Sequence, residues 1–130
     1  MPRALVAAIV AVVTSTTLVA HHGNASFDTS KQVTLKGIVT EWIWANPHCF
    51  LKIDAMDDSG TVRNWALETQ NPTAMTQRGW SRKAFNVGDQ VTVVLEAVKN
   101  GAPIGRIVKI TLTDGSTLSA GTLPNTPPGQ

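Results

Sequence analysis

Runs of alternating apolar and polar residues, each ended by a turn, constrain this chain more than any other feature. Val33, Leu35, Gly37 and Val39 alternate with Thr34, Lys36, Ile38 and Thr40. That is the two-residue period of a half-buried strand, and Gly37 reads as a bulge or sharp bend within it. The strand runs on through Trp42-Ile43-Trp44 and stops at Asn46-Pro47, because proline has no N–H for the ladder. A second strand follows with Cys49, Leu51 and Ile53 inward. The turn Asp57-Asp58-Ser59-Gly60 leads to a third over residues 62–68, where Trp65 and Leu67 share a face. Residues 90–98 and 106–113 supply a fourth and a fifth around the hairpin signal Asn100-Gly101, with Val108, Ile110 and Leu112 on one face of the fifth. Asp114-Gly115 turns the chain once more, and residues 117–119 suit a short terminal strand.

Between the third and fourth strands the pattern changes. Asn71 suits a helix N-cap, Pro72 the first helical position and Gly79 the residue just past the end. The helix is about two turns long, and Ser81 caps a further turn through Phe85. Three strands, one short helix and two strands, with a long bent first strand, predict a mainly β fold. Its form is a small five-stranded OB-like Greek-key barrel with one short helix between strands three and four. Another small barrel or a sandwich is the alternative. The expected core contains Val39, Leu51, Ile53, Leu67, Val93 and Ile110.

The ends of the chain have a different character. Arg3 followed by an apolar run over residues 4–13, and Ala20 behind Leu18-Val19, has the layout of a secretory signal. Residues 1–20 are thus expected to be removed, leaving a domain over residues 21–119 with an N-terminal arm at 21–31. Thr14-Ser15-Thr16-Thr17 interrupts the run, so no stable membrane span is expected after cleavage. Residues 120–130, rich in Pro, Gly and Thr, read as a disordered tail. The expected location is the periplasm or the exterior. The net charge is only +2, and no basic stripe is present, which excludes a nucleic-acid-binding class. The single cysteine, Cys49, forbids an intrachain disulfide and reads as a core residue.

The mature start His21-His22-Gly23, the segment Val33-Thr34-Leu35-Lys36-Gly37-Ile38-Val39 and the turn Asn46-Pro47-His48 carry a resemblance. So do Trp65-Ala66-Leu67-Glu68, Arg78-Gly79-Trp80, Gly88-Asp89-Gln90-Val91 and Asp114-Gly115. Together they resemble a group of small exported bacterial proteins of unknown function, across nearly the whole mature chain. Gly23 stands where a serine is common in that group. The resemblance implies an exported single-domain β-barrel and brings no activity with it.

Function must be read from side chains. All three histidines are candidate metal ligands. Cleavage after Ala20 makes His21 the first residue, so its free α-amine and its imidazole can chelate one ion together. His22 lies beside it, and His48 can close a three-nitrogen site. Such nitrogen sites favour Cu(II) among the divalent first-row metals, which makes copper the expected cofactor. Soft ligands are scarce, with only Met56, Met75 and Cys49 in the mature chain, and the spacing of a structural zinc site is absent. The alternative is a non-catalytic binding module. Trp42, Trp44, Asn46 and Phe50, around the Asn46-Pro47-His48 loop, would dock a protein, peptide or small ligand, with a periplasmic protein as partner. These aromatics are equally suited to filling the mouth of a small barrel. No Ser-His-Asp set, carboxylate pair or phosphate loop is legible, so catalysis would have to ride on a bound metal, as in a redox enzyme with an open coordination position.

Overall fold

The computed structural model describes residues 26–121. The elements are β1 (Val33–Ile43), β2 (Phe50–Met56), β3 (Val62–Glu68), α1 (Pro72–Gln77), β4 (Gln90–Ala97), β5 (Ile104–Thr111) and β6 (Thr117–Ser119). The sheet order is β3-β2-β1-β4-β5-β6, and β3 also pairs with β5. That last pairing is parallel, running from Ala66↔Ile104 to Glu68↔Arg106, whereas the others are antiparallel. It closes the first five strands into a mixed barrel of the OB type, with α1 between the third and fourth strands. No helix among the described residues is long and apolar enough to cross a membrane.

Strand β1 serves two neighbours, which is why it is long. Its first half pairs with β4, and its second half with β2. The register shifts between Val39 and Glu41, so Thr40 is an extra residue. One extra residue reverses which face each later side chain occupies. Leu35 and Val39 point inward before the bulge, and Trp42, opposite Leu51, points inward after it. The bulge therefore lies at Thr40 and not at Gly37, where the glycine pattern placed it. Gly37 meets a different need. A Cβ there would lie 2.7 Å from the Asp54 carbonyl oxygen and 3.0 Å from Ile53 Cδ1, so only glycine lets β2 approach this closely.

A second bulge corrects the reading of the fifth strand. β5 begins at Ile104 and ends at Thr111, two residues earlier than expected at each end. Val94 pairs with Lys109 but Leu95 with Ile107, which leaves Val108 as the extra residue. Ile107 and Ile110 are consequently the buried pair, at 1% and 0% exposure, and Val108 and Leu112 are only half-buried. The expected core is otherwise in place: Val39, Leu51, Ile53, Leu67, Val93 and Ile110 are each 1% exposed or less.

Helix α1 is short because its signals are close together. Asn71 Oδ1 accepts from the Ala74 N–H at 2.9 Å, Pro72 opens the helix, and Gly79 adopts φ +86° just beyond it. This brings Met75, Trp80 and Phe85 into the core at the end of the barrel occupied by Trp42. The Trp80 indole N–H donates to the Ser119 carbonyl, tying β6 to the same end. Ala120 is buried and donates to Val108 O, so packing extends one residue past Ser119. The signal segment, the cleavage point, His21, His22 and residues 122–130 lie outside the described residues.

The arm at residues 21–31 is not wholly a free extension. Phe27 is buried and bridges Val98, an anchor that the polar, aperiodic sequence around it concealed.

Candidate functional site

His48 sits in the turn between β1 and β2, after the cis peptide Asn46-Pro47. Beyond the start of β2 the ladder with β3 continues. The Cys49 N–H donates to Gln70 O at 3.0 Å, and the Thr69 N–H donates to Cys49 O at 2.9 Å. Strand alternation turns Cys49 into the core, and His48 to the opposite side. There its Nδ1 is hydrogen-bonded to Glu68 Oε1. An ionised carboxylate can only accept, so Nδ1 carries a proton in this contact, and in the neutral form of the ring Nε2 is the nitrogen with the lone pair. The His48 side chain is 43% exposed, whereas that of Glu68 is 13% exposed. The imidazole is thus oriented by a largely buried carboxylate while half of it faces solvent. Gln70 lies across from this turn, and its buried Nε2 has no hydrogen-bond partner.

Glu68 belongs to a row of polar side chains on the outside of the barrel. In the β3–β5 pairing it stands beside Arg106. Arg106 Nη2 and Nε both donate to Glu96 Oε2, at 2.6 Å and 3.1 Å. Leu95 and Ile107 point inward, so Glu96 and Arg106 point outward, yet their side chains are only 6% and 9% exposed. Phe27 helps to cover them, with its ring centroid 5.1 Å from Arg106 Cζ. Neither Glu68, Arg106, Glu96 nor Phe27 was singled out from the sequence. For Glu68 a signal existed: the tight turn at Asp57–Gly60 sets the hairpin register, and counting back from Met56↔Val62 places Phe50 opposite Glu68.

The predicted aromatics divide. Trp42 faces inward, half-buried, stacked at 5.0 to 5.9 Å from Phe85, Trp44 and Trp80, and its indole N–H donates to Ser81 O. It fills the mouth of the barrel. Trp44 packs on Trp42 and is half-buried, as is Phe50, while Asn46 is exposed. Cys49 is fully buried, and burial raises its thiol pKa, so it is a poor nucleophile and a poor metal ligand. Among the described residues no three His, Cys, Asp or Glu side chains are grouped as a metal site. His48 would need ligands from outside residues 26–121.

A family model described as a family of unknown function, DUF6152, matches residues 8–107. This chain belongs to that family. No curated protein and no solved structure matches it. Membership agrees with the resemblance carried by the His-His-Gly start and the Asn-Pro-His turn, and it assigns no activity to the site.

Proposed function

We propose that the protein is exported, begins at His21 after loss of residues 1–20, and binds copper(II) through nitrogen ligands. His21 supplies its α-amine and imidazole, His22 a neighbouring imidazole, and His48 the ligand that ties the terminus to the barrel. The observation that supports this reading is the Glu68–His48 hydrogen bond. A carboxylate on one ring nitrogen is the usual outer partner of a metal-bound histidine: it fixes the tautomer, orients the ring and makes the other nitrogen more basic. The imidazole and amine donors suit Cu(II), and the fully buried Cys49 offers no competing thiolate.

The decisive test is a calorimetric titration of Cu(II) at neutral pH into two proteins, one starting at His21 and one carrying an extra Met before it. The added residue removes the amine from His21 while keeping every side chain. The processed form should bind more tightly, and His48→Ala should weaken it. Equal affinities for the two forms overturn the amine-based site. An intact mass that still includes residues 1–20 in the exported protein overturns the cleavage on which it depends.

A docking surface is the competing reading, favoured by the half-exposed Trp44 and Phe50 beside the turn. It predicts the opposite pattern: Trp44→Ala removes partner capture, and the histidine variants leave it intact.

A further inference from the structure

Three large hydrophobic side chains stand exposed in one groove on the outer face of the barrel. Ile38 is 40% exposed, Met56 62% and Val62 57%, and all three line a groove of about 600 Å³. That volume falls within the roughly 300–1,000 Å³ of small-molecule sites. The groove lies where β1 passes from β2 to β4, since Gly37 and Ile38 pair with both strands. The register fixes its side chains in rows. Lys36 is opposite Thr92, and Thr92 is opposite Thr111. On the other side Gly37 pairs with Ala55, so Lys36 and Met56 come next in that register, and Met56 is opposite Val62. Ala55, Val91, Val93 and Ile110 are buried, so their neighbours in the row point outward. Read across β3-β2-β1-β4-β5, the row is Val62, Met56, Lys36, Thr92, Thr111. It is apolar at one end and hydroxyl-bearing at the other, with one ammonium between. Ile38 flanks it in the next row, between Asp54 and Gln90.

The polar groups of the groove differ in what they already hold. Among the described residues Lys36 makes no ion pair, and the hydroxyls of Thr92 and Thr111 have no hydrogen-bond partner. Asp54 is engaged: its Oδ1 accepts from Asn64 Nδ2 on β3 at 2.8 Å. We propose that this groove binds a free aliphatic carboxylate of medium chain length. The Lys36 ammonium and the two hydroxyls donate to the carboxylate oxygens, which can only accept. Directly opposed side chains have their Cβ atoms about 5 Å apart, close enough for one head group to meet all three donors. The tail lies over Met56 and Val62 with Ile38 beside it. From β1 to β3 is two strand spacings, roughly 10 Å, and that is the length of tail the groove supports. Asp54 is the competing feature, because a carboxylate attracts an amine. Its bond to Asn64 leaves the unpaired charge of the groove with Lys36, and its own charge disfavours a dianionic head. The groove contains neither His48 nor Glu68, so the proposal stands apart from the copper reading.

The test is an amide and methyl NMR titration of the intact protein with octanoate, butanoate and octylammonium. Octanoate should shift the resonances of Lys36, Ile38, Met56, Val62 and Thr92, and bind more tightly than butanoate by up to about fourfold for each added methylene. Octylammonium should bind more weakly than octanoate. Lys36→Met should cost octanoate roughly 2–5-fold, the effect of one exposed charge pair. Lys36→Glu should reverse the preference, so that octylammonium binds more tightly than octanoate. Val62→Asp should erase the advantage of octanoate over butanoate. These side chains are exposed, so melting temperatures should stay close to that of the unaltered protein, and if Val62→Asp unfolds the two Lys36 variants decide. No binding at millimolar octanoate, equal affinity for octanoate and butanoate, or an unaltered preference in Lys36→Glu overturns the proposal. So do shifts centred outside the groove.

Discussion

Removing the guanidinium of Arg106 should be the most damaging single change on the outer face of the barrel. The Arg106 and Glu96 side chains are 9% and 6% exposed, and Arg106 Nε and Nη2 reach the same Glu96 carboxylate oxygen. Arg106→Met keeps much of the stem's bulk but leaves the Glu96 carboxylate buried without its counter-charge and those donors. Breaking a buried pair from one side costs about 3–5 kcal/mol, because water no longer solvates the charge that remains. For a domain of this size each kcal/mol moves Tm by about 4–8 °C, so Arg106→Met should lower Tm by at least about 12 °C. Replacing both partners, as in Glu96→Leu with Arg106→Met, removes the stranded charge and should recover most of that loss. Urea unfolding at neutral pH with linear extrapolation, alongside thermal melting by circular dichroism, measures both. A loss below about 1 kcal/mol for Arg106→Met would show that water reaches Glu96 and that the cover over the pair is not tight. A double variant less stable than Arg106→Met alone would equally refute the reasoning.

Three further outcomes are expected. Leu67, fully buried on β3 between Leu51 and Gly105, should cost about 2–5 kcal/mol on truncation to Ala, read from the urea midpoint, and a loss under about half a kcal/mol would contradict its place in the core. On the proposed copper reading, Glu68→Ala should weaken Cu(II) binding by a chain starting at His21 roughly 10–100-fold, the usual effect of losing the outer partner of a ligating histidine, and an unchanged calorimetric affinity would remove Glu68 from the proposed site. Cys49 should resist thiol reagents at neutral pH until the protein unfolds, since burial both shields it and disfavours its thiolate; rapid labelling of the native protein would show the turn opening.

How much of the site could be read in advance depends on the kind of contact that makes it. His48 was identifiable from its residue type and its place behind Asn46-Pro47. Its orientation was not, because the carboxylate that holds it lies on another strand. Trp42 and Trp44 were visible as a same-face pair, but whether that face was inside or outside depended on the bulge at Thr40. Phe27 was lost in a polar stretch, since a single anchoring aromatic creates no period.

Local chemistry determined the elements. Two-residue alternation marked the strands, Asn71, Pro72 and Gly79 bounded α1, and the Asp57–Gly60 and Asn100–Gly101 turns spaced the hairpins, because all of these depend on neighbours a few residues apart. Only the tertiary structure decided the faces and the partners. The extra residues at Thr40 and Val108 reverse the inward side part-way along a strand, a choice made by the pairing strands and not by the bulged one. The Glu96–Arg106 pair, the Glu68–His48 bond and the Phe27 contact each join residues at least ten positions apart in sequence. The first two lie across adjacent antiparallel strands, β4–β5 and β2–β3, and the third joins the arm to β5; barrel closure between β3 and β5 then sets Arg106 beside Glu68 on one outer face, where burial makes an unpaired charge costly.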